Sequence, residues 1–194
     1  MEMPELVRLL ENIIRTGTVT EIDEENWRVR VQSGALEMTW LRWNAQRAGD
    51  FSIWIPPSVG EQVWMFCMGG NTSNAIIGGS LYSEDNPAPG SSRKEIVITA
   101  PDGARFRYDA ETSDLQVSGI KSATLTASVK VTLDTPLVDC TELLRAKKLD
   151  ITEGGDLRGN FTHIGGALKS NGVQVDDHAH GEVQSGGSWT KGTK

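Results

Sequence analysis

The run "SATLTASVKVTLDT", residues 122–135, restricts what this chain can fold into more than any other feature. Ala123, Leu125, Ala127, Val129, Val131 and Leu133 take alternate positions, with Thr, Ser, Lys and Asp between them. That is a period of two, the repeat of a strand with one apolar face, held for longer than an ordinary strand. The runs "KEIVIT", "ARFRYD", "DLQVSG", "PLVDC" and "NGVQV" read the same way, and "PDG", "GG" and "SNG" punctuate them as turns. The inward positions are small or medium. Each buried Val or Leu contributes about 1.5–3 kcal/mol, while ordering the backbone costs about 1–2 kcal/mol per residue. A strip so poor in bulky side chains needs partner copies. A narrow prism of several chains, with the apolar alternates meeting at an axis, supplies them and hides the strand edges. Half of a β-sandwich packed on the rest of the chain is the plainer alternative.

The residues before this strip have another character. Five of the six tryptophans, Trp27, Trp40, Trp43, Trp54 and Trp64, fall in the first third of the 194 residues. A Pro/Ser/Gly-rich stretch, "SEDNPAPGSSRKE", then marks a boundary near residue 90. Pro4 and the spacing of Leu6, Leu9, Leu10, Ile13 and Ile14 predict an N-terminal helix, with Gly17 as its stop. After it, "TGTVTEI", "WRVRVQ", "EMTWLRW", "FSIWIP", "EQVWMFCM" and "NAIIGGSLY" read as short strands. Five or six strands in this span predict a small closed barrel of OB type, with the tryptophans as its core.

Charge narrows the partners. Residues 1–93 carry 7 basic and 12 acidic groups and residues 94–194 carry 12 and 14, a net −5 and −2 that together make the chain's −7. Neither part has the clustered cations that nucleic acid requires. No apolar run reaches the roughly 18–20 residues of a bilayer span. The acidic start "MEMPELVRLL" lacks the n-region of a signal peptide, which points to folding in a cytoplasm. Cys67 and Cys140 read as reduced, buried small side chains.

Near the end the chain reads "GVQVDDHAHGEVQSGGSWTKGTK". In extended chain His178 and His180 project to one side. Two imidazoles are too few for a structural zinc site, which takes four ligands. Three chains meeting at an axis would bring six nitrogens, an octahedral set suited to iron(II), nickel or cobalt. Such a site is saturated and acts as a staple. The same text matches the opening of the cupin metal motif, but Glu182 falls too early for the cupin glutamate and no later histidine follows. A cupin-like metalloenzyme and an OB-type oligonucleotide or carbohydrate module stand as alternatives to a non-enzymatic assembly of this kind. No P-loop or nucleophile elbow is present.

With "IIRTGTVTEID", "WIPPSVGEQVWMF", "NAIIGGSLYSEDNPAP", "APDGARFRYDAETSDLQVSGIKSATLTAS" and the final "GGDLRGNFTHIGGALKSNGVQVDDHAH", the chain resembles the central spike of contractile phage tails and R-type tailocins, the baseplate assembly protein V family. The resemblance implies a mainly β chain. It would comprise an N-terminal helix (1–15), an OB-fold barrel (16–86), a linker (87–95), an intertwined trimeric triple-stranded β-helix (96–176) and a metal-capped apex (177–194). It also implies a homotrimer docked on the tail hub, assembled in the bacterial cytoplasm and carried at the tip of the virion or tailocin tail. Its role would be to pierce the outer membrane of a Gram-negative cell, with no enzymatic activity. His178 and His180 would hold one iron ion (Fe2+) per trimer, and Asp176 and Asp177 are candidates for further axial ions. Asp177 stands where family apices often carry threonine, and "SWTKGTK" replaces the prolines that often follow.

Overall fold

The computed structural model describes residues 2–176 and residue 186. The chain divides into two compact units, Met1–Thr126 and Ala127–Lys194. The first opens with helix α1, Met3–Glu11, which has proline in its first turn. It closes where the Asn12 N–H donates to the Arg8 carbonyl at 3.2 Å. None of its residues is buried. The helix ends well before Gly17, which lies inside strand β1 (Ile14–Asp23). There a side chain at Gly17 would press on Val31 and on the Gln32 carbonyl. The glycine permits close strand approach and is not a helix stop, because the β-branched and threonine residues around it favour the ladder.

Strands β1, β2 (Arg28–Ser33), β3 (Leu36–Glu37), β4 (Leu41–Trp43), β5 (Gln62–Cys67) and β6 (Ala75–Leu81) follow one another in the chain. In space they run β1-β5-β6-β4-β2, and β2 pairs back onto β1, so five strands close on themselves. β3 only extends β2 as a hairpin arm. All pairs are antiparallel except β4 with β6. Closure removes the exposed edges that an open sheet of this size would leave. The expected barrel is therefore present, OB-like in its five strands.

Its interior differs from the expectation. Val19, Val29, Val31, Leu41, Val63 and Met65 fill it, each 1% exposed or less. The tryptophans lie outside or at the rim: Trp27 is 65% exposed and Trp54 56%. A five-stranded barrel is too narrow for indoles and takes β-branched and unbranched aliphatic side chains instead. Trp27 sits at φ 56°, in the tight turn before β2. That left-handed backbone takes it off the face it would share with Val29 and Val31. The expected strand "FSIWIP" does not form. Only an isolated bridge, Ala48 to Ser52, occurs there, and Pro56 and Pro57 lack the N–H groups a ladder needs. One buried polar side chain is satisfied locally, since Ser33 Oγ donates to the Thr16 carbonyl at 2.7 Å and accepts from Arg15 Nε at 3.0 Å. Cys67 is buried as expected, whereas Cys140 is exposed, because the segment around it packs against nothing among the described residues.

Beyond the barrel, β7 (Glu95–Thr99), β8 (Arg105–Asp109) and β9 (Asp114–Ser118) form an antiparallel meander from the three runs expected to be strands. In the second unit the described residues carry one short hairpin, β10 (Lys169–Ser170) and β11 (Val173–Gln174). Asn171 and Gly172, both at positive φ, make its turn. Among the described residues between Gly119 and Leu168 there is no strand ladder. No described helix is long and apolar enough to cross a membrane.

Candidate functional site

The meander has two unlike faces. On one, Ile96 pairs with Tyr108 and Tyr108 with Leu115, while Ile98 pairs with Phe106 and Phe106 with Val117. These two cross-strand rows are six apolar side chains on one surface, exposed by 40% at Tyr108 to 69% at Leu115. On the other face Arg107 Nε donates to Glu95 Oε2 at 2.8 Å, and Arg107 Nη2 to Asp109 Oδ2 at 2.7 Å. The linker lies over this polar face. Ser91 and Ser92 N–H groups donate to Glu95 Oε1 at 2.8 and 2.9 Å, and a side chain at Gly90 would touch Glu95 and Val97. The Ser92 amide, then Arg107, then the Ser91 amide hold the Glu95 carboxyl down at about 2. The polar face is thus closed by the linker, and among the described residues the apolar face is left uncovered.

Apolar side chains are also exposed in the alternating strip. Leu125 is 77% exposed and Val129 94%. In the second unit Val131, Leu133, Leu143 and Ile164 are likewise exposed. Single exposed apolar residues are ordinary, but the six that share the meander face form a patch of the kind that marks an interaction surface.

Toward the end of the described chain, Asp176 takes two neighbours. Its Oδ1 accepts from the Leu168 N–H at 3.2 Å, and its Oδ2 lies 3.5 Å from His163 Nδ1. Asp177, His178 and His180 lie outside the described residues. Among the described residues no group of three or more His, Cys, Asp or Glu side chains could hold a metal ion. Burial pushes the Cys67 thiol up, with Arg15 a smaller opposing influence, so the thiol inside the barrel is no nucleophile.

Reading the sequence missed the Glu95–Arg107 pair. Its signal was present: in "KEIVITAPDGARFRYD" the charged residues occupy the alternate positions that leave Ile96, Ile98, Phe106 and Tyr108 on the opposite face.

Comparison with known proteins gives three findings. Residues 15–82 match the family described as the type VI secretion system/phage-baseplate injector OB domain. Residues 119–171 match the phage spike trimer family. The chain is 44% identical, over 191 residues, to the spike protein of Escherichia phage P2, covering 91% of this chain and 90% of that protein.

Proposed function

As the chain belongs to the phage spike protein family and is a baseplate spike of a phage tail, we propose that three copies wind together into a needle that pierces the outer membrane of a Gram-negative cell. One observation carries this reading. The meander face, and separately the strip after it, expose apolar side chains that no described residue covers. Sister chains wound about a common axis cover both at once and complete the strand ladders that one chain cannot make. The apolar alternates meet at the axis, and the Thr, Ser, Lys and Asp residues between them face water.

The apex belongs to the same proposal. His178 and His180 supply two imidazoles per chain, and a trimer supplies the six nitrogens of an octahedral iron site with no open position. Chain ends fray first, and an ion bound only by the assembled ends opposes that fraying. A saturated site binds no substrate, so its role is mechanical. The barrel, at the other end of the sequence, docks on the tail hub.

The test is location and copy number in the particle. Immunogold against this chain should mark the distal end of the tail, and quantitative mass spectrometry should find three copies per particle. Particles made without the chain should fail to infect. Label along the sheath, or a copy number that is not a multiple of three, contradicts the proposal.

A further inference from the structure

The barrel carries a groove that the spike role leaves unused. It is walled by the β1–β2 turn and the first residue of β2 (Glu25, Trp27, Arg28), by β4 and the loop after it (Arg42, Arg47, Trp54), and by the second half of β6, and has a volume of about 1070 Å³. Three arginines line it against a single carboxylate, Glu25, on a chain whose net charge is −7. Arg28 and Arg42 are direct cross-strand partners in the β2–β4 ladder. Like charges placed opposite one another destabilise a sheet. Among the described residues only the charge of Asp23, the ladder partner of Arg28 on β1, acts against that cost, and it makes no direct ion pair with Arg28. Arg28 Nη1 donates to the Trp40 carbonyl at 3.3 Å and Arg47 Nη1 to the Gln46 carbonyl at 2.9 Å, but both acceptors are neutral. Asp23, across the ladder from Arg28, spends its carboxylate on the Asn26 N–H and side-chain amide, at 3.1 and 2.8 Å. Among the described residues no carboxylate lies in ion-pair contact with Arg28, Arg42 or Arg47.

The apolar side of the groove is equally unspent. Trp43 and Trp54 stack at 5.7 Å between ring centroids, tilted by 57°, and Trp54 remains half exposed. Phe51, on the same loop, is 85% exposed. Aromatic side chains beside arginines are the composition of protein-interface hot spots.

We infer that this groove receives an acidic segment of the baseplate protein on which the barrel sits, its carboxylates pairing with Arg28 and Arg42 and an apolar side chain seated against Trp54. The inference rests on the spike reading and specifies the chemistry of its docking partner. Charge complementarity selects the occupant. A polyanion as dense as nucleic acid meets a chain that is −5 over residues 1–93, whereas a short segment with a few carboxylates matches three arginines. A sister copy is served by the apolar meander and strip, whose chemistry is different.

The test uses full-length Arg42→Glu, with Arg93→Glu as a control that makes the same charge change at an exposed linker position and Arg42→Lys as the conservative variant. Each is supplied to a phage lacking its own copy, and spike content is measured in purified tails. Arg42→Glu should fold, with a Tm no lower than wild type because it relieves the Arg28–Arg42 repulsion. It should assemble to the wild-type subunit number yet enter tails about tenfold less or worse. Arg93→Glu should enter normally and Arg42→Lys should retain most incorporation. Normal incorporation of Arg42→Glu overturns the inference. So does loss of its subunit assembly, which gives the groove to a sister copy, and so does wild-type binding of a dT15 oligonucleotide at low salt that Arg42→Glu abolishes. If the wild-type chain is absent from tails altogether, the spike reading falls first, a result that does not depend on Arg42.

Discussion

Arg107 and Glu95 are joined at 2.8 Å on the polar face of the β7–β8–β9 meander, and through the same carboxylate Glu95 holds the linker amides of Ser91 and Ser92. One carboxylate therefore fixes both the strand pair and the chain that enters it. The Glu95 carboxyl is lowered from its ordinary 4.5 to about 2. A depressed carboxyl contributes stability above its unfolded value and loses it as the pH falls through the folded one. Thermal unfolding followed from pH 6 to pH 2 should show Tm falling between about 4.5 and 2, and Glu95→Gln should lack that component while starting from a lower Tm at pH 6. Parallel curves for the two proteins would contradict this role.

The closed barrel and the strands of the meander could be read from the chain because period-two alternation of β-branched residues is a local signal. The pairing of β7, β8 and β9 with one another could not, since the expectation for these runs is an intertwined trimeric β-helix. Nor could which face points inward. In β5, Val63, Met65 and Cys67 alternate with Trp64 and Phe66, so both faces are apolar and alternation alone does not choose. The narrow interior chooses the smaller set, and Trp64 is left outside, lying across Gly78 so closely that a methyl group there would overlap its ring. In the strip after Ser118 the pattern was equally clear, but among the described residues up to Leu168 it forms no strand ladder. The histidine pair is a candidate from spacing and context alone, and His178 and His180 lie outside the described residues.

Helix α1 packs through backbone contact. Gly70, at φ 71°, lies so close to Leu9 that any Cβ would overlap the Leu9 backbone. Gly70→Ala should cost about 1–3 kcal/mol from the left-handed backbone alone, read as a shift in urea midpoint. Gly34→Ala, also at positive φ but with open space around it, should cost less. Equal costs would show that the helix contact carries no energy.

Phe106 lies at the centre of the uncovered meander face, paired with both Ile98 and Val117. Phe106→Asp should leave the barrel folded, because none of its core residues lies in the meander. It should shift the assembly toward single chains by at least tenfold in concentration, seen by sedimentation, since burying an unpaired carboxylate costs more than about 2 kcal/mol. An unchanged sedimentation profile would remove the meander from the interface.

If His178 and His180 hold iron as proposed, replacing both by Ala should remove it and leave the subunit number unchanged, because in the proposed trimer the strands bury most of the apolar area. The change should appear as easier proteolysis of the last residues. A metal content unaffected by the double replacement would exclude the pair as ligands.

Native mass spectrometry of the purified full-length protein, combined with elemental analysis, tests the central claim most directly. The account predicts a particle of three times the 21.1 kDa chain mass, carrying one iron ion per three chains. A stable single-chain particle at micromolar concentration, free of metal, would contradict it.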